Sequence, residues 1–446
     1  MSKCPLFYCF FYNKMISYWC DSMNRIERIF VIGILLLCSA CTFDVKDKPK
    51  TTYDDTEVID SIIKYNNDLD KEFLKYIYDE YGRDSLIEVE EALINNTYTE
   101  DIWHKVTGKS YIVLNDLYNN EYDDMDNVKM IDIEGNINIS FVGDISLADN
   151  FEIMPYYDSR NEGVFGILST EVVDKMKSSS IMVANNEFAI TNSNNKISKL
   201  YNFKANPERI NIYKEMGVDL VSLANNHVYD YGEEGLLDTI RHLNEYEIPN
   251  IGAGSNISEA KEAYYFVVGG YKFSFISATR AEKNVVTPNA EDDKPGVFWC
   301  YDPSLLIDSI KQEKEVSDFV IVLIHWGRED SHELEDVQKD TARMYIDAGA
   351  DFIIGSHAHM LQGFEFYNNK LIAYNLGDFI FNRETKDTGI LSISIDNDKK
   401  IGYQFIPCRQ DNYKTSMLYD DEKIRVLDDM RRYSINTTIL DDGVFY

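Results

Sequence analysis

The chain has 446 residues, 44% apolar and 13% aromatic, which at about 150 residues per domain gives one large domain with appendages or two domains, and excludes wholesale disorder and a collagen-like or coiled-coil fibre. Lys and Arg number 44 against 76 Asp and Glu, a formal net charge of −32. So negative a surface repels nucleic acid and anionic lipid at long range, and leaves an anionic substrate to be bound by a local cationic feature, most simply a metal.

Targeting signals come first in chain order. Residues 1–22, with Cys4, Cys9 and Cys20 among aromatics, read as sequence upstream of the true start at Met23. Residues 23–40 read as a signal peptide: Arg25 and Arg28 are the basic end, Ile29 to Leu37 the apolar run, and Ser39 and Ala40 two small residues before Cys41. The arrangement resembles a bacterial lipoprotein signal, which implies a lipid on Cys41 and an extracytoplasmic protein held on a membrane. A short transmembrane anchor is the bland alternative, but the apolar run is far below the roughly 20 residues needed to span. Of seven cysteines, only Cys300 and Cys408 remain for the body. A disulfide framework is therefore excluded, with at most one bridge left open, and neither cysteine has the CxxC neighbour that points to a thiolate metal site.

Residues 41–55 are polar and read as a tether. Residues 56–135 form an acidic helical segment, with Val58, Ile62, Phe73, Leu74, Ile77, Leu86, Val89 and Leu93 at near-helical spacing and nothing resembling a site. From 136 to 407 the pattern is regular. Strand-like runs at 137–142, 181–184, 218–223, 319–324 and 351–354 alternate with helical stretches near 166–178, 205–216, 233–246, 303–316 and 335–348. Short, doubly buried strands separated by helices imply a parallel or mixed sheet covered on both faces. Asp302 before Pro303 predicts a capped helix start. Segments 264–277, 364–375 and 390–407 carry turn pairs such as Gly269-Gly270 and Asn368-Asn369 and are predicted hairpins. Residues 408–446 are read as a C-terminal tail.

The chemistry falls where the strands end. The five runs lead into Gly143-Asp144, Asn185-Asn186-Glu187, Asn225-Asn226-His227, His325-Trp326-Gly327 and Gly355-Ser356-His357-Ala358-His359. Strand carboxyl ends in an α/β sheet line one crevice, so five polar clusters there are expected to converge. Taken singly, each residue has a plainer role: Asp144 as a helix cap, Glu187 as a solvated loop acid, Asn226 as a cap, His227 as a histidine at the sheet edge and His325 as a packed ring beside Trp326. The pair His357-x-His359 is the strongest single signal, because two-residue spacing in extended chain puts both imidazoles on one face, where one divalent ion can bridge them. Four of the seven histidines follow strand ends, which independent capping does not explain; His104, His242 and His332 lie outside the scheme. Mixed nitrogen and oxygen ligands without thiolate suit one or two divalent ions such as Mn, Zn or Fe, and two such ions at bridging distance would clamp phosphate oxygens and activate a water.

The runs GDISLA, NNEF, LANNHVYDYGEEGL, HWGRE and GSHAHMLQGFE…YNLGDFIF, in this order over roughly residues 137–382, resemble the capsule-synthesis CapA (poly-γ-glutamate synthesis) family, itself similar to the calcineurin-like metallophosphoesterases. The resemblance implies an α/β sandwich of two mixed sheets flanked by helices, with the small N-terminal helical segment added. By that resemblance Asp144, Glu187, Asn226, His325, His357 and His359 are metal ligands, with Glu187 at the bridging position, and His227 is the catalytic residue that protonates a leaving group. Asn186 and Glu329 are assigned to the substrate rim. The D-x-H motif of those phosphoesterases would need histidine at Ser146, so one metal position is expected to be weak. Asp330 stands where the family pattern has tyrosine. The function implied is a surface-anchored, metal-dependent hydrolase of capsule or exopolymer metabolism acting on an anionic exopolymer or a phosphoester, with capsule synthase subunits as candidate partners. The other reading is a non-catalytic accessory subunit of a polymer synthase or exporter.

Overall fold

The computed structural model describes residues 55–446 apart from residues 134, 282–285 and 397. The signal sequence, Cys41 and the tether lie outside the described residues. Two mixed sheets carry the fold. The first has seven strands in the order Val128–Ile131, Tyr264–Val268, Tyr271–Thr279, Phe319–Trp326, Phe352–His357, Lys370–Leu376 and Leu361–Tyr367. The main path of the second runs Lys414–Met417, Ile401–Asp411, Lys386–Ile395, Ile137–Ile145, Ile181–Asn186, Leu220–Ser222 and Asn250–Ile251, and the short strand Asp378–Ile380 adds alongside Ile137–Ile145. Its members from Ile137–Ile145 to Asn250–Ile251 are parallel, as are the neighbours from Tyr271–Thr279 to Lys370–Leu376 in the first sheet.

Alternation along each strand builds three layers of core. Ile139 and Phe141 of the second sheet and Phe275, Ile321, Leu323 and Ile354 of the first meet in a central cluster. The alternate positions Ile145, Met182 and Ala184 face Val173, Met176, Tyr213, Leu236 and Leu243 on outer helices, while Val320, Val322 and Ile324 face Leu306, Ile310, Ala342 and Tyr345 on the opposite side. Each strand is buried on both faces, which is why it reads as a continuous apolar run. Fully burying each such side chain contributes about 1.5–3 kcal/mol. The result is the expected α/β sandwich, helices outside and two sheets inside.

The predicted hairpins form: Gly269 and Gly270 both take positive φ, as do Asn368 and Asn369. The helix expected from Pro303 begins at Ser304, whose N–H is held by the Asp302 carboxylate at 3.0 Å. The domain edges, however, move. Strand Val128–Ile131 pairs with Tyr264–Val268, so the sheets begin before residue 136. Residues 408–446 are no tail: strand Ile401–Asp411 runs through residue 408, helix Asp420–Tyr433 buries Val426, Leu427 and Met430 in the central cluster, and Phe445 closes it. Spaced only by amphipathic helical periodicity, those apolar residues have no sequence signal that tells them from a detached helix.

The N-terminal segment folds as helices Asp55–Tyr65, Lys71–Tyr81, Arg83–Ile94, Asp101–Thr107 and Tyr111–Tyr118, with Phe73, Leu86, Val89 and Trp103 in a core of their own. It is fastened to the first sheet by a buried ion pair, Lys272 Nζ to Asp116 Oδ2 at 2.7 Å with side chains 3% and 8% exposed, and by Ser110 donating to Asp318. Removing one partner of a buried pair leaves an uncompensated charge costing about 3–5 kcal/mol. Asp116→Ala is therefore expected to lower unfolding stability by that amount, read from the urea midpoint; a change below about 1 kcal/mol would show that the helical segment does not depend on this pair.

Candidate functional site

Register brings the polar clusters together. Asp144 lies beside Asn185 and Asn185 beside Ser222 in the second sheet, while His325 lies beside Ser356 and Trp326 beside His357 in the first. The two rows meet at one end of the sandwich, where the His357 backbone N–H points to Asp144 Oδ2 at 3.1 Å. A third element completes the site. Strand Asp378–Ile380 pairs with Ile137–Ile145 so that Asp378 is next to Asp144, and the turn before it packs so closely that the Asp144 N–H bonds to Gly377 O at 3.0 Å. A Cβ on Gly143 would stand 1.9 Å from that oxygen, so glycine is required there.

Two groups of potential ligands result, Glu187 with His325 and His357, and Asp144 with His359 and Asp378, the donor atoms of each within 4.8 Å of one another. His359 Nδ1 is 2.7 Å from Asp378 Oδ1 and 3.6 Å from Asp144 Oδ2. Glu187 Oε1 sits between the groups, 3.8 Å from His325 Nε2 and 4.0 Å from His359 Nε2. Asn226 Oδ1 is 2.8 Å from His325 Nε2. Asn185 orients the acids, its amide reaching Asp144 at 2.8 Å and Glu187 at 3.2 Å, and Asn225 holds Asn185 in turn at 3.0 Å.

The electrostatics are those of a cluster of like charge kept from water. Burial, with Asp144 and Asp378 adding, pushes the Glu187 carboxyl well above its usual range, and burial raises Asp144 too. Burial and neighbouring imidazoles hold His325 and His357 well below theirs, so both rings are neutral, the form that ligates a metal. Burial works against charging His359, but Asp378 and Asp144 outweigh it and push that imidazole up to about 9. Glu187 Oε1 and His357 Nδ1 are buried without a hydrogen-bond partner. Orphaned ligand atoms are costly and rare in native interiors, and a divalent cation held by Glu187, His325 and His357 would satisfy both and offset the carboxylate charge. The donor set fits such an ion.

Three expectations change. His357 and His359 do not share one face of an extended chain: both adopt positive φ, 95° and 56°, and each joins a different group. Backbone so placed is strained for a non-glycine residue and is characteristic of functional sites. Ser146 is buried, with its hydroxyl unpaired, but the second group is completed without a histidine there, because Asp378 supplies the third ligand atom. Asn186 is not on the rim; it is fully buried, its amide donating to Phe188 O and its carbonyl accepting from Tyr213.

Glu329 does line the mouth of the cleft, and His227 its wall. Asp230, fully buried, stands 2.7 Å from His227 Nδ1 and is itself fixed by the Phe203 N–H. Lys199 bonds the Asn226 carbonyl at 2.7 Å and lies 3.4 Å from Asp230. Lys386, on the mouth, is 3.1 Å from Asp378 and 3.3 Å from Asp330. Asp378, Asp230 and Lys386 carry no expectation from sequence. Asp230 and Asp378 nevertheless lie in the quoted runs LANNHVYDYGEEGL and YNLGDFIF, the latter a second Gly-Asp ending an apolar run, matching Gly143-Asp144. The other histidines are structural: His104 stacks on Tyr271, His332 on Tyr433, and His242 pairs with Glu245.

The family model described as "Bacterial capsule synthesis protein PGA_cap" matches residues 138–383, which contain both ligand groups and His227. Among curated proteins, the chain is 31% identical over 261 residues to "PGA biosynthesis protein CapA" of Bacillus subtilis (strain 168), covering 57% of this chain and 67% of that one. It is 34% identical over 203 residues to "Capsule biosynthesis protein CapA" of Bacillus anthracis and 28% identical over 186 residues to a "Probable polyglutamine synthesis accessory protein" of Mycobacterium tuberculosis, in each case covering 49% of the relative, so the chain spans about half the length of these two. With its strand-end residues falling inside the matched region, the chain belongs to the bacterial capsule synthesis protein family, PGA_cap, which includes the CapA proteins.

Proposed function

We propose that this protein is a divalent-metal-dependent hydrolase of capsule or exopolymer metabolism, held on the outer face of a membrane by a lipid on Cys41. The observation that carries the metal reading is the pair of orphaned ligand atoms, Glu187 Oε1 and His357 Nδ1, both in the first ligand group. One or two ions such as Mn, Zn or Fe would supply charge neutralisation and an activated water at neutral pH. They would also be the local cationic feature that a chain of net charge −32 needs to hold a phosphoester or an anionic exopolymer. The protein's own part is positioning and proton transfer. The Asp230 carboxylate can only accept, so Nδ1 of His227 carries a proton; in the imidazolium form, which that carboxylate stabilises, Nε2 carries a second proton and can pass it to the departing oxygen, leaving the neutral ring. Asn185 and Asn225 keep Asp144 and Glu187 in place, and the surrounding apolar layers exclude bulk water. A non-catalytic accessory role is favoured by one observation, Ser146 in place of the phosphoesterase histidine, and by the "accessory protein" name of the mycobacterial relative.

Metal content tests the ligand groups directly. His357→Ala should lower the bound metal of purified protein through the first group and Asp144→Asn through the second; content in both variants equal to wild type would remove the proposed site.

His227→Asn separates enzyme from scaffold. Losing a positioned proton donor should cut hydrolysis of a phosphoester or γ-glutamyl substrate by about 10²–10⁴, with metal content unchanged and a stability cost of about 1–3 kcal/mol for the hydrogen bond lost at Asp230. If metal-replete wild type cleaves neither substrate class while the variant still impairs polymer display on cells, the accessory role is the correct one.

Anchoring is tested at Cys41. No helix among the described residues is long and apolar enough to cross a membrane, so Cys41→Ser should move the protein from the membrane to the soluble fraction. Retention with an uncut leader would instead indicate a transmembrane anchor.

A further inference from the structure

The cleft of about 400 Å³ opens onto the second ligand group alone: of the residues in the two groups, only His359 and Asp378 line it. Lys386 stands at that opening. Its backbone is fixed as the first residue of strand Lys386–Ile395, opposite Gln410, so only the side chain, 11% exposed, can move. The ammonium is shared among three carboxylates. Nζ lies 3.1 Å from Asp378 Oδ2, which belongs to a fully buried side chain, and 3.3 Å and 3.5 Å from Asp330 and Glu384, whose side chains are 75% and 63% exposed. Asp378 Oδ2 nevertheless makes no aligned hydrogen bond, so the ammonium offsets the charge of that oxygen without filling its lone pairs. The first group differs. At ion-pair distance Glu187 meets only imidazoles, those of His325 and His359, among the described residues, and both orphaned ligand atoms belong to that group.

We infer, resting on the reading that the two groups hold divalent ions, that Lys386 is an internal counter-ion of the second group: the first group takes an ion tightly, and the second takes one only in exchange for the Lys386 ammonium. An ammonium has three donors and no acceptor, so unlike His359 it cannot turn from a neighbour of the ion into a ligand and has to leave. Two cations held on one buried carboxylate repel strongly, because little water screens them. The way out is short. Asp330 and Glu384 already lie beside Nζ, and the flexible four-carbon stem lets it turn towards them. Exposed ion pairs are worth little, whereas a buried carboxylate without a cation is costly. Lys386 therefore sides with Asp378 in the absence of an ion and withdraws to the rim in its presence, and the affinity of the second group is lowered by what the Lys386–Asp378 contact is worth.

Binding of Mn²⁺ alone tests this. Full-length protein in detergent, stripped of metal with a chelator, is titrated with Mn²⁺ by calorimetry. The expected result for wild type is two steps, the second at least about tenfold weaker than the first. Lys386→Met and Lys386→Gln, which remove the charge, should each tighten the second step about tenfold and leave the first within about twofold, whereas Lys386→Arg, which keeps the charge, should leave both near wild type. Asp378→Asn should abolish the weak step alone, assigning it to the second group. Melting gives an independent reading: without metal the two neutral variants should melt below wild type, because Asp378 has lost its counter-ion, and saturating Mn²⁺ should close the gap. Should they be unfolded without metal, recovery of the wild-type melting temperature on adding Mn²⁺ reads the same exchange. Two equal steps in wild type, a second step that neither neutral variant tightens, or a melting gap that Mn²⁺ does not close would each overturn the inference while leaving the metal sites in place. Mn²⁺ bound by none of these proteins would remove the metal reading itself, and the inference with it.

Discussion

Asp144, Glu187 and Asp378 place three carboxylates with no exposed surface in a single cleft, and the rest of the site is arranged around that concentration of charge. Withdrawing one carboxylate from water costs several kcal/mol even after the surroundings relax, and three together repel one another. Part of the relief is visible in the charged His359 and in Lys386 against Asp378. Part is the raised proton affinity of Glu187 and Asp144. What these leave uncompensated, the orphaned Glu187 oxygen and His357 nitrogen, is what a divalent ion would meet.

Holding such a cluster requires a rigid frame, and the sandwich provides one. Four parallel strands in each sheet deliver their carboxyl ends to the same edge, and three apolar layers fix the sheets against one another. The Gly143–Gly377 contact then joins a strand of the second sheet to the turn leaving the first, so that Asp378 reaches Asp144. Any side chain at 143 would push the two apart and dissolve the second ligand group. Helix Asp420–Tyr433 and Phe445 seal the same central layer far along the chain, so the C-terminal residues belong to the frame of the site.

His227 is positioned separately from the two ligand groups. His227 is governed by Asp230, three residues on, and by Phe203 on the loop that also carries Tyr201 and Lys199. That loop therefore links the positioning of His227 to Tyr201 at the cleft. Charge at the mouth and charge at the floor also differ in kind: the floor calls for a cation, whereas the rim has its cations already engaged.

Sequence alone determined the five strand runs that lead into the site, because a strand buried on both faces must be a short apolar run, and it determined that Asp144, Glu187, Asn226, His227, His325, His357 and His359 follow strand ends, because parallel topology sends those ends to one side. The hairpins at Gly269-Gly270 and Asn368-Asn369 were equally legible, since few residues tolerate positive φ. Tertiary structure decided what depends on pairing between distant segments. The split of His357 and His359 into two groups follows from their left-handed backbone, which residue spacing does not encode. The burial of Asn186 follows from which face of its strand meets Tyr213. The recruitment of Asp378 in place of a histidine at Ser146 follows from the approach of Gly377 to Gly143, and the incorporation of residues 408–446 from an antiparallel pairing that starts at the hairpin before them. Local chemistry fixes which residues are fit for a site, and only the packing of the two sheets decides which of them share an ion's reach.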